Sequence, residues 1–276
     1  NWGRWSFLGF DPRMEITCMD HVMRIQDLVL ETQDPVIQLR QIMERHRSPR
    51  ICGMPPFCGG LVGWFSYDFL QYAEPAAKVP VADPDAFRDL DLMLFENVIA
   101  FDHQQQKILL IATVDLHDPE VSWNRAMRQL AQMKDLLETG TKAVEPRSRL
   151  TSEIRPMFDR PAWTRMTREA KQRILEGDIF QIVLSNRLSA GFEGTLLDTY
   201  RQLRTINPSP YMFYFSGTDV EVAGASPETL VKLEDGKMFT FPLAGTRKRG
   251  QTREEDLALE AGLLADEKEL AEHDML

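Results

Sequence analysis

Residues 211–241, YMFYFSGTDVEVAGASPETLVKLEDGKMFTF, decide the fold class. Four short runs rich in aromatic and β-branched residues, 211–215, 220–223, 230–233 and 237–241, follow one another with only turn residues between them. Asp235-Gly236 is a hairpin turn signal, because both residue types accept positive φ. Strands joined this closely pair antiparallel, since parallel neighbours need a crossover of a dozen or more residues.

The flanking sequence fits the same class. Residues 196–207 read as a helix stopped by Pro208, and 179–184 as a strand. A helix opens near Thr164 or Thr167, either of which can accept from the first free N–H groups. Met166, Ala170, Ile174 and Leu175 give that helix a buried stripe, and Gly177 marks its end. Residues 252–276 are helix-rich and acidic. Residues 2–114 are mostly short apolar or alternating runs broken by Gly, Pro and Asp, which predicts strands. One of them, GGLVGWFSYD at 59–68, carries glycines where a backbone or ligand comes close. Runs at 92–101 and 107–114 flank the polar DHQQQ as a hairpin. Helices interrupt at 35–45 and 119–138; in the second, Trp123, Met127, Leu130, Met133 and Leu137 fall at helical spacing and read as core. Consecutive strands with helices at intervals predict an α+β fold of antiparallel sheets packed face to face with helices outside. Periodicity lapses between 139 and 161, so the expected domains are 1–145 and 155–276.

Composition excludes several classes. A formal charge of -10 on 276 residues disfavours a nucleic-acid partner, which wants a basic surface. No run approaches the roughly 18 apolar residues of a membrane span, and the first residues lack the pattern of a signal peptide, so a cytoplasmic protein is expected. Cys18, Cys52 and Cys58 are too few for a disulfide framework and read as reduced structural thiols. No GxGxxG or GxxxxGK[ST] is present, so nucleotide binding has little support.

Four segments can carry chemistry. In DEKELAEH, residues 266–273, Glu269 and Glu272 stand three apart on one helical face, where two carboxylates can hold part of a Mg2+ shell; an ordinary solvated acidic face is the commoner meaning of such a pair. His273 beside them could serve as an acid or base, though a surface ion pair is its ordinary role. In PLAGTR, residues 242–247, Gly245 can bring backbone N–H groups near a carboxylate while Thr246 supplies a hydroxyl. The basic Lys248 and Arg249 next to it can raise the local potential for an anion. In NPSPYMFY, residues 207–214, a stiff proline stretch leads into aromatic residues that can wall a pocket for a small aromatic ligand. Ser226-Pro227-Glu228 is a tight turn carrying an acid, or a helix cap.

Together with GRWSFLG at 3–9, GGLVGWFSYD at 59–68, EGDIFQ at 176–181 and GASPE at 224–228, these segments, in this order, resemble the anthranilate synthase large subunit and its chorismate-using relatives. The resemblance covers nearly the whole chain, and seven ordered matches are far more specific than any one alone. It implies that Glu269 and Glu272 are Mg2+ ligands and that the Gly245-Thr246 turn lies against chorismate. The implied reaction adds ammonia at C2 with loss of the 4-hydroxyl, then eliminates pyruvate to leave anthranilate. Gln181 stands where water-using relatives place a lysine base, and an amide cannot act as one. Ala244 stands where many aminodeoxychorismate synthases carry a nucleophilic lysine, which alanine lacks. Ammonia is expected from a separate glutamine amidotransferase subunit in a hetero-oligomer, since no Cys-His constellation for making it is seen here. Pro210, Tyr211 and Met212 resemble part of the pocket that binds tryptophan as feedback inhibitor; the upstream Leu-Leu-Glu-Ser motif of that pocket is absent. Relatives continue past the position of Leu276 into a catalytic His, a second acid pair and substrate-holding Arg and Tyr, so little turnover is expected from these 276 residues alone. The rival readings are an aminodeoxychorismate synthase large subunit and an inactive fragment that binds an aromatic amino acid.

Overall fold

The computed structural model describes residues 3–77, 85–142 and 147–276. By compactness the chain divides into residues 1–143 and 144–276. Trp2, where the predicted strand region begins, and residues 143–146 of the stretch read as a linker lie outside the described residues.

The first unit contains β1 (Trp5–Gly9), β2 (Met14–Met19), β3 (Val22–Ile25), β4 (Leu28–Glu31), α1 (Pro35–Arg45), β5 (Gly60–Phe65), α2 (Leu70–Ala73), β6 (Leu90–Phe95), β7 (Asn97–Asp102), β8 (Lys107–Ala112) and α3 (Pro119–Thr139). The strands form a five-stranded sheet in the order β4-β3-β2-β6-β5 and a three-stranded sheet in the order β1-β7-β8. Each pairing is antiparallel. Gly63 in β5 has a φ of +158°, and a Cβ there would strike the Asp91 carbonyl of β6, so only glycine lets these strands close. The 92–101 run, read as one hairpin arm, is divided at Glu96. Leu90–Phe95 pairs in the larger sheet and Asn97–Asp102 in the smaller. The Glu96 carbonyl is taken by the Thr113 N–H and hydroxyl, each at 3.0 Å, which breaks the ladder and lets the chain change sheets.

Ile16, Met23 and Leu90 are fully buried, and α1 lays Leu39 and Ile42 on the same cluster. Each such side chain contributes about 1.5–3 kcal/mol by leaving water. The Tyr72 hydroxyl in α2 donates to Asp89 Oδ2 at 2.6 Å and accepts the His21 N–H at 3.0 Å, which ties the helix to the β2–β3 turn. Burial pushes the Tyr72 phenol and the Cys18 thiol up, so neither ionises near neutrality. All three cysteines are unpaired. The Trp and Met stripe of α3 is only partly core. Met133 is buried, but Trp123, Met127 and Leu137 are exposed, because the helix turns the smaller Ser122 and Ala126 inward against β8. Small side chains let the helix backbone approach closely, which swings the larger ones to the rim.

The second unit contains β9 (Arg149–Leu150), β10 (Arg155–Pro156), α4 (Arg160–Glu176), β11 (Leu188–Ser189), β12 (Phe192–Glu193), α5 (Leu196–Ile206), β13 (Tyr211–Ser216), β14 (Glu221–Ser226), β15 (Thr229–Glu234), β16 (Lys237–Phe241), α6 (Arg253–Leu264) and α7 (Glu267–Met275). The four runs of residues 211–241 form two antiparallel hairpins, β13–β14 and β15–β16, the second turning through Asp235 and Gly236 at φ +50° and +75°. Ser226-Pro227-Glu228 leads directly into β15 and caps no helix.

Two local expectations change. α4 starts earlier than Thr164 or Thr167: Asp159 Oδ1 accepts the Ala162 N–H at 2.8 Å, with Pro161 in the first turn. Both threonines lie inside the helix and donate back to the Arg160 and Trp163 carbonyls. An aspartate followed by a proline is simply the stronger start. Of the expected α4 stripe only Ala170 is buried, and Leu175 is 81% exposed. Residues 179–184 form no strand; Phe180 and Val183 are each 86% exposed. β propensity alone makes no strand where no neighbouring edge takes the backbone donors. α5 starts firmly, since Glu221 on β14 accepts from the Leu196 N–H at 2.6 Å and from the Thr195 and Tyr214 hydroxyls. No helix among the described residues is long and apolar enough to cross a membrane.

Candidate active site

α7 sets the acid pair. Its cap, Asp266, accepts the Lys268 and Glu269 N–H groups at 3.1 and 3.3 Å, fixing the first turn from which Glu269 and Glu272 project. Those bonds, Glu269 N–H foremost, together with Arg247, hold the Asp266 carboxyl below the usual carboxylate range. The loop after β16 then comes in from the other side. Gly245 turns with a φ of +68°, and a Cβ there would lie 2.6 Å from Glu269 Oε2 and 3.0 Å from Leu263 Cδ1. The turn is thus in contact with the Glu269 carboxylate, whose side chain is only 16% exposed.

Gln181 reaches the same place from a distant part of the unit: its Nε2 donates to Glu272 Oε1 at 3.1 Å. Gln181, Gly245, Glu269 and Glu272 therefore form one cluster. Thr246 continues the turn, with its carbonyl accepting from Arg247 Nη1 at 3.1 Å, and half-buried Ala244 precedes it. No hydrogen bond or ion pair among the described residues ties Pro210, Tyr211 or Met212 to this cluster. They lead into β13, where the Tyr211 and Thr229 hydroxyls are 2.7 Å apart and Met212 Sδ accepts the Ser209 N–H. His273 is exposed near the end of α7.

Arg249, read as a possible attractor of anions, is engaged elsewhere: it grips Asp256 at the start of α6 and holds that carboxyl below its usual range. The residues that sequence reasoning gave no role are Arg247 and Lys268. Arg247 Nη2 meets Asp266 Oδ2 at 2.8 Å and its Nη1 lies 3.9 Å from Glu269 Oε1. Lys268 Nζ lies 3.5 Å from Glu269 Oε1 and 3.8 Å from Glu272 Oε2. Arg247 carries no local pattern that says which carboxylate it will meet, whereas Lys268, next to Glu269 and four residues before Glu272 on one helix, has a spacing that does.

The donor chemistry suits a hard cation, because carboxylate oxygens are what Mg2+ selects and the two acids already share a positive group. Among the described residues no group of three or more His, Cys, Asp or Glu could hold a metal by itself, so two carboxylates would supply only part of a shell. Surface hollows in the first unit, one beside Val114, Pro119 and Trp123 and one beside Asp11, Glu96 and Arg125, contain none of the expected site residues.

The profile of the family described as chorismate binding enzyme matches residues 1–276. Anthranilate synthase component 1 of Pseudomonas aeruginosa is 39% identical over 289 residues, covering 100% of this chain and 58% of that protein. The protein of the same name from Aquifex aeolicus is 36% identical, covering 100% of this chain and 57% of its own length. The crystal structure of anthranilate synthase component I from Streptococcus pneumoniae superposes with a TM-score of 0.83 at 32% identity, over 99% of this chain and 60% of that one. The chain thus spans a little under three fifths of the curated relatives named here. With a family match along its whole length and an acid pair, a glycine turn and a glutamine gathered in one place, this chain belongs to the chorismate binding enzyme family.

Proposed function

We propose that the protein is the large subunit of an anthranilate synthase, which converts chorismate and ammonia to anthranilate and pyruvate as a lyase of tryptophan biosynthesis. The observation that carries this reading is the contact of the Gly245 turn with Glu269, joined to the Gln181–Glu272 hydrogen bond. It gathers metal-type donors, a backbone turn and a neutral amide at one point, in a chain whose relatives bear that enzyme's name.

Glu269 and Glu272 would hold Mg2+, which when bound supplies a charge to neutralise the ring carboxylate and assist departure of the 4-hydroxyl. The Gly245-Thr246 turn offers backbone N–H groups and a hydroxyl that orient the substrate. Gln181 fixes Glu272 through its amide and has no lone pair basic enough to deprotonate water, which disfavours water as the nucleophile. Ala244 offers no nucleophile, so ammonia adds to the ring directly, at C2, and the 4-hydroxyl leaves. Loss of pyruvate then restores the aromatic ring. Ammonia comes from a glutamine amidotransferase subunit, tryptophan acts as inhibitor near Pro210, Tyr211 and Met212, and the setting is cytoplasmic.

The test is mass spectrometry of the products of the full-length protein with chorismate, ammonium and Mg2+. Anthranilate with pyruvate is expected; accumulation of aminodeoxychorismate, or of isochorismate or salicylate, would refute the assignment. Binding of tryptophan with no binding of chorismate or Mg2+ by calorimetry would favour an amino-acid-binding protein.

A further inference from the structure

The acid pair does not stand bare. A single ammonium, Lys268 Nζ, lies within 3.5 Å of Glu269 and 3.8 Å of Glu272. On an ordinary helix such a lysine would form one weak surface pair with the residue four positions on. Here the geometry differs in one respect: the Gly245 turn is in contact with the Glu269 carboxylate and leaves that side chain 16% exposed, so it has less room to turn outward than a surface glutamate. Two carboxylates kept this close to one ammonium repel each other, more strongly in half-buried surroundings than in water, and a cation between them relieves the repulsion.

The two basic residues differ in how firmly they are held. Arg247 is anchored on Asp266 by a 2.8 Å ion pair and is a third exposed. Lys268 is 79% exposed and, among the described residues, pairs with the two acids, so its ammonium can withdraw into water at little cost. We propose that Lys268 is a displaceable counter-ion, which bridges Glu269 and Glu272 in the metal-free protein and withdraws when a divalent cation takes its place. This rests on the reading of the pair as metal ligands. Its consequence is that the protein binds the metal less tightly than the bare acids would, which favours release between turnovers.

The experiment is titration of the full-length protein with Mn2+ alone, reading free Mn2+ by electron paramagnetic resonance, for the parent, Lys268→Met, Lys232→Met and Glu269→Gln. Lys232 pairs with Glu234 on β15, so its variant removes the same charge at a different place. Lys268→Met should bind Mn2+ several-fold more tightly, on the order of fivefold at low salt, because a competing charge within 4 Å is gone. Lys232→Met should stay within about twofold and Glu269→Gln should weaken binding more than about tenfold. Unchanged or weaker binding by Lys268→Met, with Glu269→Gln still impaired, overturns the counter-ion role and leaves the metal reading standing. Equal weak binding by the parent and Glu269→Gln removes the metal reading, and the proposal with it.

Discussion

Replacing Gly245 by alanine tests the site and the backbone at once. At a φ of +68° an alanine sits in the left-handed region, which costs roughly 1 kcal/mol relative to glycine. The new Cβ would also lie 2.6 Å from Glu269 Oε2, closer than real contacts allow. That neighbour is the far end of a side chain, so the carboxylate gives way rather than the backbone, at about 0.5–1.5 kcal/mol for a forced rotamer. Together these come to about 2 kcal/mol, or roughly a thirtyfold change in the folded-to-unfolded ratio. Because Glu269 is the group that moves, Mn2+ affinity should fall in step with stability. Urea unfolding followed by circular dichroism gives the first quantity and paramagnetic titration the second. A variant within about 0.5 kcal/mol of the parent, the scatter of neutral surface changes, and with unaltered Mn2+ affinity would show that the turn does not touch Glu269 in solution.

Ile16→Ala, at a fully buried position between β3 and β6, should cost about 3 kcal/mol through lost burial and a cavity; a loss below about 1 kcal/mol by urea titration would contradict the described core. Tyr72→Phe leaves Asp89 without its shortest donor and the His21 N–H without its acceptor, so a loss of about 1–3 kcal/mol is expected, and an unshifted melting temperature would show the clasp to be idle. The hydrogen bond from Arg4, the largest influence, with the N–H groups of Gln105 and Gln104, holds the Asp102 carboxyl down at about 2. A depressed carboxyl stabilises the fold above its unfolded value near 4 and loses that contribution as pH falls toward 2, so Arg4→Gln should flatten the decline of stability between about pH 4 and 2; an unchanged acid limb of the melting curve would argue against it.

Much of the fold was legible because its signals are local. The aromatic and β-branched runs of 211–241, the Asp235-Gly236 turn and the prolines at 35 and 119 act through the residues that carry them, and each appeared where expected. The failures concern partners. Residues 179–184 have the composition of a strand but pair with no strand among the described residues, and Thr164 and Thr167 lost the cap position to Asp159. The division at Glu96 followed from a bond to Thr113, which no periodicity announces.

By itself the sequence determined that two carboxylates three residues apart on a helix, and a glycine turn after a strand, would be present, since spacing and φ preference are properties of the local chain. Tertiary structure alone decided that the glycine meets Glu269 rather than solvent and that an amide ninety-one residues away secures Glu272. Those facts depend on where distant segments meet, and hydrogen bonds and ion pairs reach only a few ångströms, so they come into being only once the chain has folded.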